Sequence, residues 1–134
     1  MLKKIPVFFG KNESKYNDDI WLAGGISIYE CFEDLGVRES QRCLLKIKNP
    51  SSLALYYIGL TYFKMHDFGN AVLYFEKSLS KKEEFEYTDR CMRFLVYSYY
   101  YLEKFDLLFD SPLTKNDEVI KFFSFIIPVF RGLI

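Results

Sequence analysis

The stretch LALYYIGLTYFKMHDFGNAVLYFEKSL, residues 53–79, decides the fold of this chain. Its apolar residues recur at the spacing of two amphipathic helices. The polar segment 66–70 between them predicts a tight turn, with Asp67 as the N-cap of the second helix. We expect Gly59 to face Ala71, because two helices approach closely only where neither carries a large side chain. The stretch therefore predicts a closely packed helical hairpin.

The same stretch resembles the tetratricopeptide repeat, a helix pair of about 34 residues that stacks on neighbouring copies. The residues at the spacings of the repeat signature are Leu55, Ile58, Gly59, Tyr62, Ala71 and Phe75. Leu55 stands where the signature has tryptophan, and Glu83 stands where it has proline. The resemblance implies one clear repeat at about 52–85.

Two weaker copies of the pattern flank the clear one. In residues 19–50, the places of Gly59, Ala71 and Phe75 are taken by Ile28, Ser40 and Leu44. In residues 89–111, Val96 stands in the place of Gly59, and Pro112 cuts the second helix short. About three repeats are needed for a stable array. The resemblance thus implies an all-α fold, a short superhelix of antiparallel helix pairs (a tetratricopeptide-like α-solenoid).

The two ends of the chain are apolar. Residues 1–17 predict an extended segment laid on the bundle. Residues 114–128 predict a C-terminal helix that is apolar on nearly every face. It could pack between the last repeat and a second subunit, occupy a groove of the array, or approach a membrane. A span needs about 20 apolar residues, and charged residues interrupt this helix, so we expect no membrane span. The candidate dimer contacts on it are Phe122, Phe123, Ile126 and Ile127.

Composition indicates a globular domain. A chain of 134 residues is within the usual size of one domain, which we assign to 1–134. Half of the residues are hydrophobic and 27% are charged, unlike a disordered chain. Acidic and basic residues number 18 each, so the basic excess of a nucleic-acid-binding protein is absent. The short apolar run after Lys4 lacks a signal-peptide cleavage site, and we expect a cytoplasmic protein.

The sequence contains few residues that could take part in catalysis. His66 is the one histidine and falls in the predicted turn, where no nucleophile or orienting group is expected beside it. Cys31, Cys43 and Cys91 form no C-x-x-C pair, so we expect reduced, mostly buried thiols rather than a metal site. We expect no catalytic residue, no cofactor and no metal.

The resemblance also implies a place for a ligand, because the first helix of each tetratricopeptide pair lines a concave groove. The residues that would line it here are Tyr56, Leu60, Phe63, Lys64, Arg93, Tyr97, Tyr100 and Tyr101. Family members that clamp a C-terminal carboxylate carry Lys and Asn at the positions of Tyr56 and Leu60, so that mode is not expected. An aromatic groove suits an extended apolar segment or an amphipathic helix. The alternative is that another part of this chain covers these residues.

Two functions remain open at this point. The first is a non-enzymatic protein-binding module, an adaptor or chaperone similar to the small chaperones of type III secretion. The second is a homodimeric structural subunit of a larger complex, such as a tetratricopeptide subunit of the anaphase-promoting complex. Both make another protein chain the partner.

Overall fold

The computed structural model describes residues 16–83 and 85–104. These residues form α1 (Asp18–Phe32), α2 (Val37–Leu44), α3 (Ser52–Lys64), α4 (Phe68–Ser80) and α5 (Thr88–Tyr101), with a 3₁₀ helix, Glu33–Gly36, between α1 and α2. No strand occurs in these two ranges, so the predicted all-α class is confirmed for them. The expected C-terminal helix and the four candidate dimer contacts lie outside the described residues. None of the described helices is long and apolar enough to cross a membrane.

Three helices begin at a side chain that caps their first turn. Asn17 accepts a hydrogen bond from the Ile20 amide at the start of α1, and Ser51 accepts one from the Ala54 amide at the start of α3. At the start of α4 the predicted cap is confirmed, because the Asp67 carboxylate accepts from the amide of Asn70. Each cap satisfies a backbone donor that has no partner within its helix.

Helices α3 and α4 pack antiparallel. At one end, Ser52 and Ser78 exchange two hydrogen bonds, each hydroxyl donating to the other residue's carbonyl at 2.9 and 2.7 Å. At the other end, the rings of Phe63 and Phe68 lie 5.3 Å apart, centroid to centroid. Between them, a Cβ added to Gly59 would lie 2.6 Å from the Phe75 ring. The nearest neighbour of Gly59 is therefore Phe75, and not Ala71 as we expected.

Helices α1 and α2 make a similar close contact, but in another register. A Cβ on Gly25 would lie 2.6 Å from the Leu44 side chain, and the Ser40 hydroxyl donates to the Gly25 carbonyl at 2.7 Å. Gly25, three residues before Ile28, thus takes the place that Gly59 holds in the next pair, so the predicted alignment of Ile28 was wrong. The shift of three residues has two sources: α1 extends two residues further beyond its glycine than α3 does, and the connection 33–36 is one residue longer than the connection 65–67. Gly36 in that connection packs directly on Ile28.

Helix α3 lies at the centre of the described fold. Every residue from 54 to 61 is buried, because α3 contacts α1, α2, α4 and α5. The side-chain amide of Gln41 on α2 donates to the Thr61 hydroxyl on α3 at 3.0 Å. On the other side, the Cys91 thiol of α5 donates to the Phe75 carbonyl of α4 at 3.7 Å. Helix α2 is in this way joined to α3 through a partly buried hydrogen bond, and α4 is joined to α5 through a buried one.

Candidate functional site

A cavity of about 410 Å³ opens between α1, α3 and α5. Five of its eleven lining residues are tyrosines, and we call it the tyrosine cavity: Tyr29, Tyr56, Tyr57, Tyr87 and Tyr97. Leu60 and Phe94 add apolar surface, and the charged groups at its edge are Lys64, Arg90, Arg93 and Glu30. No residue of α2 or α4 lines it. The cavity is therefore lined by the first, third and fifth helices of the described residues.

A second cavity, of about 540 Å³, adjoins the first. We call it the phenylalanine cavity, after the lining rings Phe63, Phe68 and Phe94, which it combines with Tyr101, Asp34 and His66. The residues shared by both cavities are Tyr29, Leu60, Lys64 and Phe94. The two cavities consequently form one continuous surface depression, which we call the groove.

Helical periodicity explains why these side chains meet. On α3, Tyr56, Leu60 and Lys64 follow one another at intervals of four residues, which places them on one stripe. On α5, Arg90, Phe94, Tyr97 and Tyr101 follow at intervals of three or four. Two such stripes face each other across the groove.

Contacts between aromatic rings stabilise the wall of the phenylalanine cavity. The centroids of Phe63 and Phe94 lie 5.1 Å apart with an edge-to-face geometry, and Phe68 stacks on Tyr101 at 4.7 Å. Aromatic pairs at these distances stabilise one another beyond their buried area. The apolar wall is thus formed before any ligand arrives.

The tyrosine hydroxyls of the first cavity differ in their partners. The Tyr57 hydroxyl donates to a Glu30 carboxylate oxygen at 2.9 Å, and burial together with this bond raises the pKa of Tyr57. Tyr56 is only 3% exposed, but within the described part of the chain its hydroxyl has no hydrogen-bond partner. Burial also raises the pKa of Tyr56, while the nearby Arg90 guanidinium opposes that shift. The Tyr56 hydroxyl is therefore a protonated donor available at the cavity.

Positive charge is concentrated on the α3 and α5 side of the groove. Arg90 lies over the Tyr87 ring, 5.1 Å from its centroid, and Arg93 is close enough to Tyr97 to oppose the rise that burial causes in the pKa of that phenol. Lys64 has no ion-pair partner among the described residues. Among the residues that the structure describes, the one carboxylate lining the tyrosine cavity belongs to Glu30, on the α1 side.

Seven of the eight residues predicted for the groove line one of the cavities. Those of the tyrosine cavity are Tyr56, Leu60, Lys64, Arg93 and Tyr97, and those found only in the phenylalanine cavity are Phe63 and Tyr101. Tyr100 lines neither. Tyr56 and Leu60 are 3% and 5% exposed, so they form the floor of the groove rather than an open wall.

Sequence reasoning missed the contribution of α1. Tyr29 and Glu30 line the tyrosine cavity, but the predicted alignment placed Ile28 at the glycine position, where the structure has Gly25. Tyr57, Tyr87 and Arg90 were also missed. The sequence did contain a signal for Arg90. It precedes Phe94 by four residues and Arg93 by three on the same helix, and this spacing places it on the same face.

The titratable groups of the described residues do not gather into a metal site. No cluster of three or more His, Cys, Asp or Glu side chains is close enough to hold an ion within residues 16–83 and 85–104. Cys43 and Cys91 are buried and Cys31 is exposed. Burial raises the pKa of the Cys91 thiol to about 12, so this cysteine is a packed, protonated side chain rather than a nucleophile.

The groove has to be interpreted from its own geometry. No protein-family model, curated protein or solved structure matches the chain. The ligand that fits the groove therefore follows from its shape, its rings and its charges.

Proposed function

We propose that this protein is a non-enzymatic interaction module that binds an apolar or amphipathic segment of another protein in the groove. The observation that carries the proposal is the continuous aromatic depression shared by α1, α3 and α5. Each cavity falls within the size range of natural ligand sites, roughly 300–1,000 Å³. Large rings that flank a groove supply the anchors that dominate protein recognition.

The proposal includes a tetratricopeptide-like solenoid as the scaffold. Its support is the recurrence of one contact, in which a glycine of the first helix meets a large side chain of the second: Gly25 with Leu44, and Gly59 with Phe75. The first helices α1 and α3 both contribute to the groove, as does α5. In such arrays, the first helices form the concave binding face.

The groove function predicts a selective effect of Tyr97→Ala. Tyr97 is half-buried at the tyrosine cavity, and its removal opens the anchor site without touching the α3–α4 contact. We expect a peptide selected on the wild-type protein from a phage-displayed random dodecapeptide library to bind about tenfold more weakly, which is the usual cost of losing an aromatic anchor. Fluorescence anisotropy with the labelled peptide measures the change.

Tyr74→Ala is the matched control for that experiment. Tyr74 is also a half-buried tyrosine, but it stacks on Tyr62 and lines neither cavity. We expect Tyr74→Ala to leave the Kd within twofold. Equal losses in both variants, or a library that yields no binder, would count against the proposal.

The homodimeric alternative predicts a different solution behaviour. If the groove serves a separate client, light scattering should give a molar mass near 16.0 kDa across a hundredfold dilution. A mass of twice that value at every dilution, which halves in a still-helical Phe123→Asp variant, would favour the structural subunit. Phe123 lies outside the described residues, so this alternative stays a prediction.

A further inference from the structure

The tyrosine cavity has an excess of positive charge, whereas the chain as a whole has none. Over the whole sequence, acidic and basic residues are equal in number. Among the residues that the structure describes at this cavity, the cations of Lys64 and Arg90 face one carboxylate, that of Glu30. That carboxylate already accepts the Tyr57 hydroxyl. The cavity therefore attracts an anionic group.

The Tyr56 hydroxyl points to the same kind of ligand by an independent observation. Tyr56 is more than nine-tenths buried and lines the cavity, and its hydroxyl has no hydrogen-bond partner within residues 16–83 and 85–104. No buried side-chain nitrogen or oxygen of the described residues lacks a hydrogen-bond partner, so the Tyr56 hydroxyl reaches the surface of the cavity, where a ligand can accept a hydrogen bond from it. Arg90 lies near this hydroxyl. The Tyr56 hydroxyl and the Arg90 guanidinium can therefore both donate hydrogen bonds to the same carboxylate.

We propose that the groove selects an internal protein segment with a carboxylate side chain close to a large apolar one. The carboxylate enters the tyrosine cavity, where the Tyr56 hydroxyl and the Arg90 guanidinium donate to it. The apolar side chain enters the phenylalanine cavity against Phe63 and Phe68. This inference deepens the proposed function and rests on it.

The spacing of the two cavities limits the spacing of the two side chains. The cavities share Leu60 and Lys64 on α3, so one ligand segment can reach both of them. Side chains two residues apart in an extended segment, or three to four apart on a helix, lie on the same face and can enter neighbouring cavities. The acidic and apolar residues of the partner should lie within four positions of each other.

A protein segment fits this groove better than a nucleic acid strand does. Single-stranded nucleic acid is held by cations that follow the backbone along the whole groove. Here the cations are restricted to one side, and Glu30 and Asp34 place carboxylates on the other. A twelve-nucleotide oligothymidylate serves as the comparison ligand in the test.

The test begins with the random dodecapeptide library selected on the wild-type protein. We expect the enriched peptides to carry Asp or Glu within four positions of Phe, Tyr, Trp or Leu. The strongest binder is then synthesised together with its amide analogue, in which Asn or Gln replaces the acid. The amide analogue should bind about tenfold more weakly, since a hydrogen bond to a charged group is lost.

Two variants test the assigned donors. Tyr56→Phe should weaken the acidic peptide about tenfold, leave the amide analogue within twofold, and leave the urea midpoint unchanged, since the hydroxyl has no partner to lose. Arg90→Gln should also act on the acidic peptide alone. The matched controls are Tyr99→Phe, whose hydroxyl donates to Glu76, and Arg38→Gln on the exposed face of α2. Neither control residue lines a cavity, and neither change should alter binding.

The outcomes separate this inference from the proposed function. Enriched peptides without an acidic residue that still depend on Tyr97 would overturn the inference and leave the proposed function standing. A library without any binder would overturn both. If oligothymidylate bound to the wild-type protein and not to Arg90→Gln, the ligand of the groove would be a nucleic acid. That result would also overturn the inference.

Discussion

Phe75→Ala should lower the free energy of unfolding by about 3–5 kcal/mol, the usual cost of removing a buried phenylalanine ring. The ring is fully buried and covers Gly59, and its centroid lies 6.1 Å from that of Phe94 and 6.3 Å from that of Tyr56. Its loss would leave a cavity where α3, α4 and α5 meet. A domain of this size has a stability of only about 5–15 kcal/mol. Urea denaturation followed by circular dichroism measures the loss.

Leu73→Ala is the matched control on the same helix. Leu73 is 44% exposed, so its truncation should cost less than about 1 kcal/mol. Phe75→Leu keeps an apolar side chain in the core and should lower the free energy of unfolding by about 1–2 kcal/mol. This milder variant tests the same packing if Phe75→Ala does not fold. If Phe75→Ala and Leu73→Ala shifted the urea midpoint equally, the packing described for α4 would be wrong.

Gly59→Ala should also destabilise the protein, although alanine is the better helix former. The helix gains up to about 1 kcal/mol from the exchange. The new methyl group, however, would lie 2.6 Å from the Phe75 ring, which is rigid and cannot move aside without displacing Phe94 or Tyr56. Overpacking of this kind costs about 1–3 kcal/mol. We expect a net loss of about 1–2 kcal/mol, measured as a lower urea midpoint.

Gly69→Ala provides the same chemical change without the clash. Gly69 lies in the first turn of α4, and the atom nearest to a Cβ built there is an Asp67 carboxylate oxygen at 4.0 Å. Here the helix-propensity gain stands alone, so stability should stay the same or rise slightly. A Gly59→Ala variant as stable as Gly69→Ala would show that the α3–α4 contact is looser than described.

Much of the α3–α4 hairpin could be predicted from residues 53–79. The apolar spacing indicated both helices, and the polar segment between them indicated the turn. The N-cap at Asp67 is confirmed. These features depend on residues within about four positions of one another, so a single sequence contains the information. The four-residue spacing that places Tyr56, Leu60 and Lys64 on one side of α3 is also a local feature of the sequence.

The register of the first pair could not be predicted in this way. Ile28 was expected at the glycine position, but the structure has Gly25 there, against Leu44. The difference arises because the connection between α1 and α2 is one residue longer than that between α3 and α4, and because α1 extends two residues further beyond its glycine than α3 does. A repeat alignment assumes a constant connection length, and this chain departs from it.

The sequence by itself determined that residues 53–79 form a helical hairpin and that the groove-lining residues of α3 and of α5 each form one stripe, because helical periodicity and caps act over one turn. Only the tertiary structure decided that α1 closes the groove with Tyr29 and Glu30. It also decided that, within residues 16–83 and 85–104, the Tyr57 hydroxyl has a carboxylate partner whereas the Tyr56 hydroxyl has none. Those two tyrosines are identical neighbours in the chain. Their difference arises because contacts between α1 and α3 join residues 27 positions apart, where packing rather than local spacing sets the geometry.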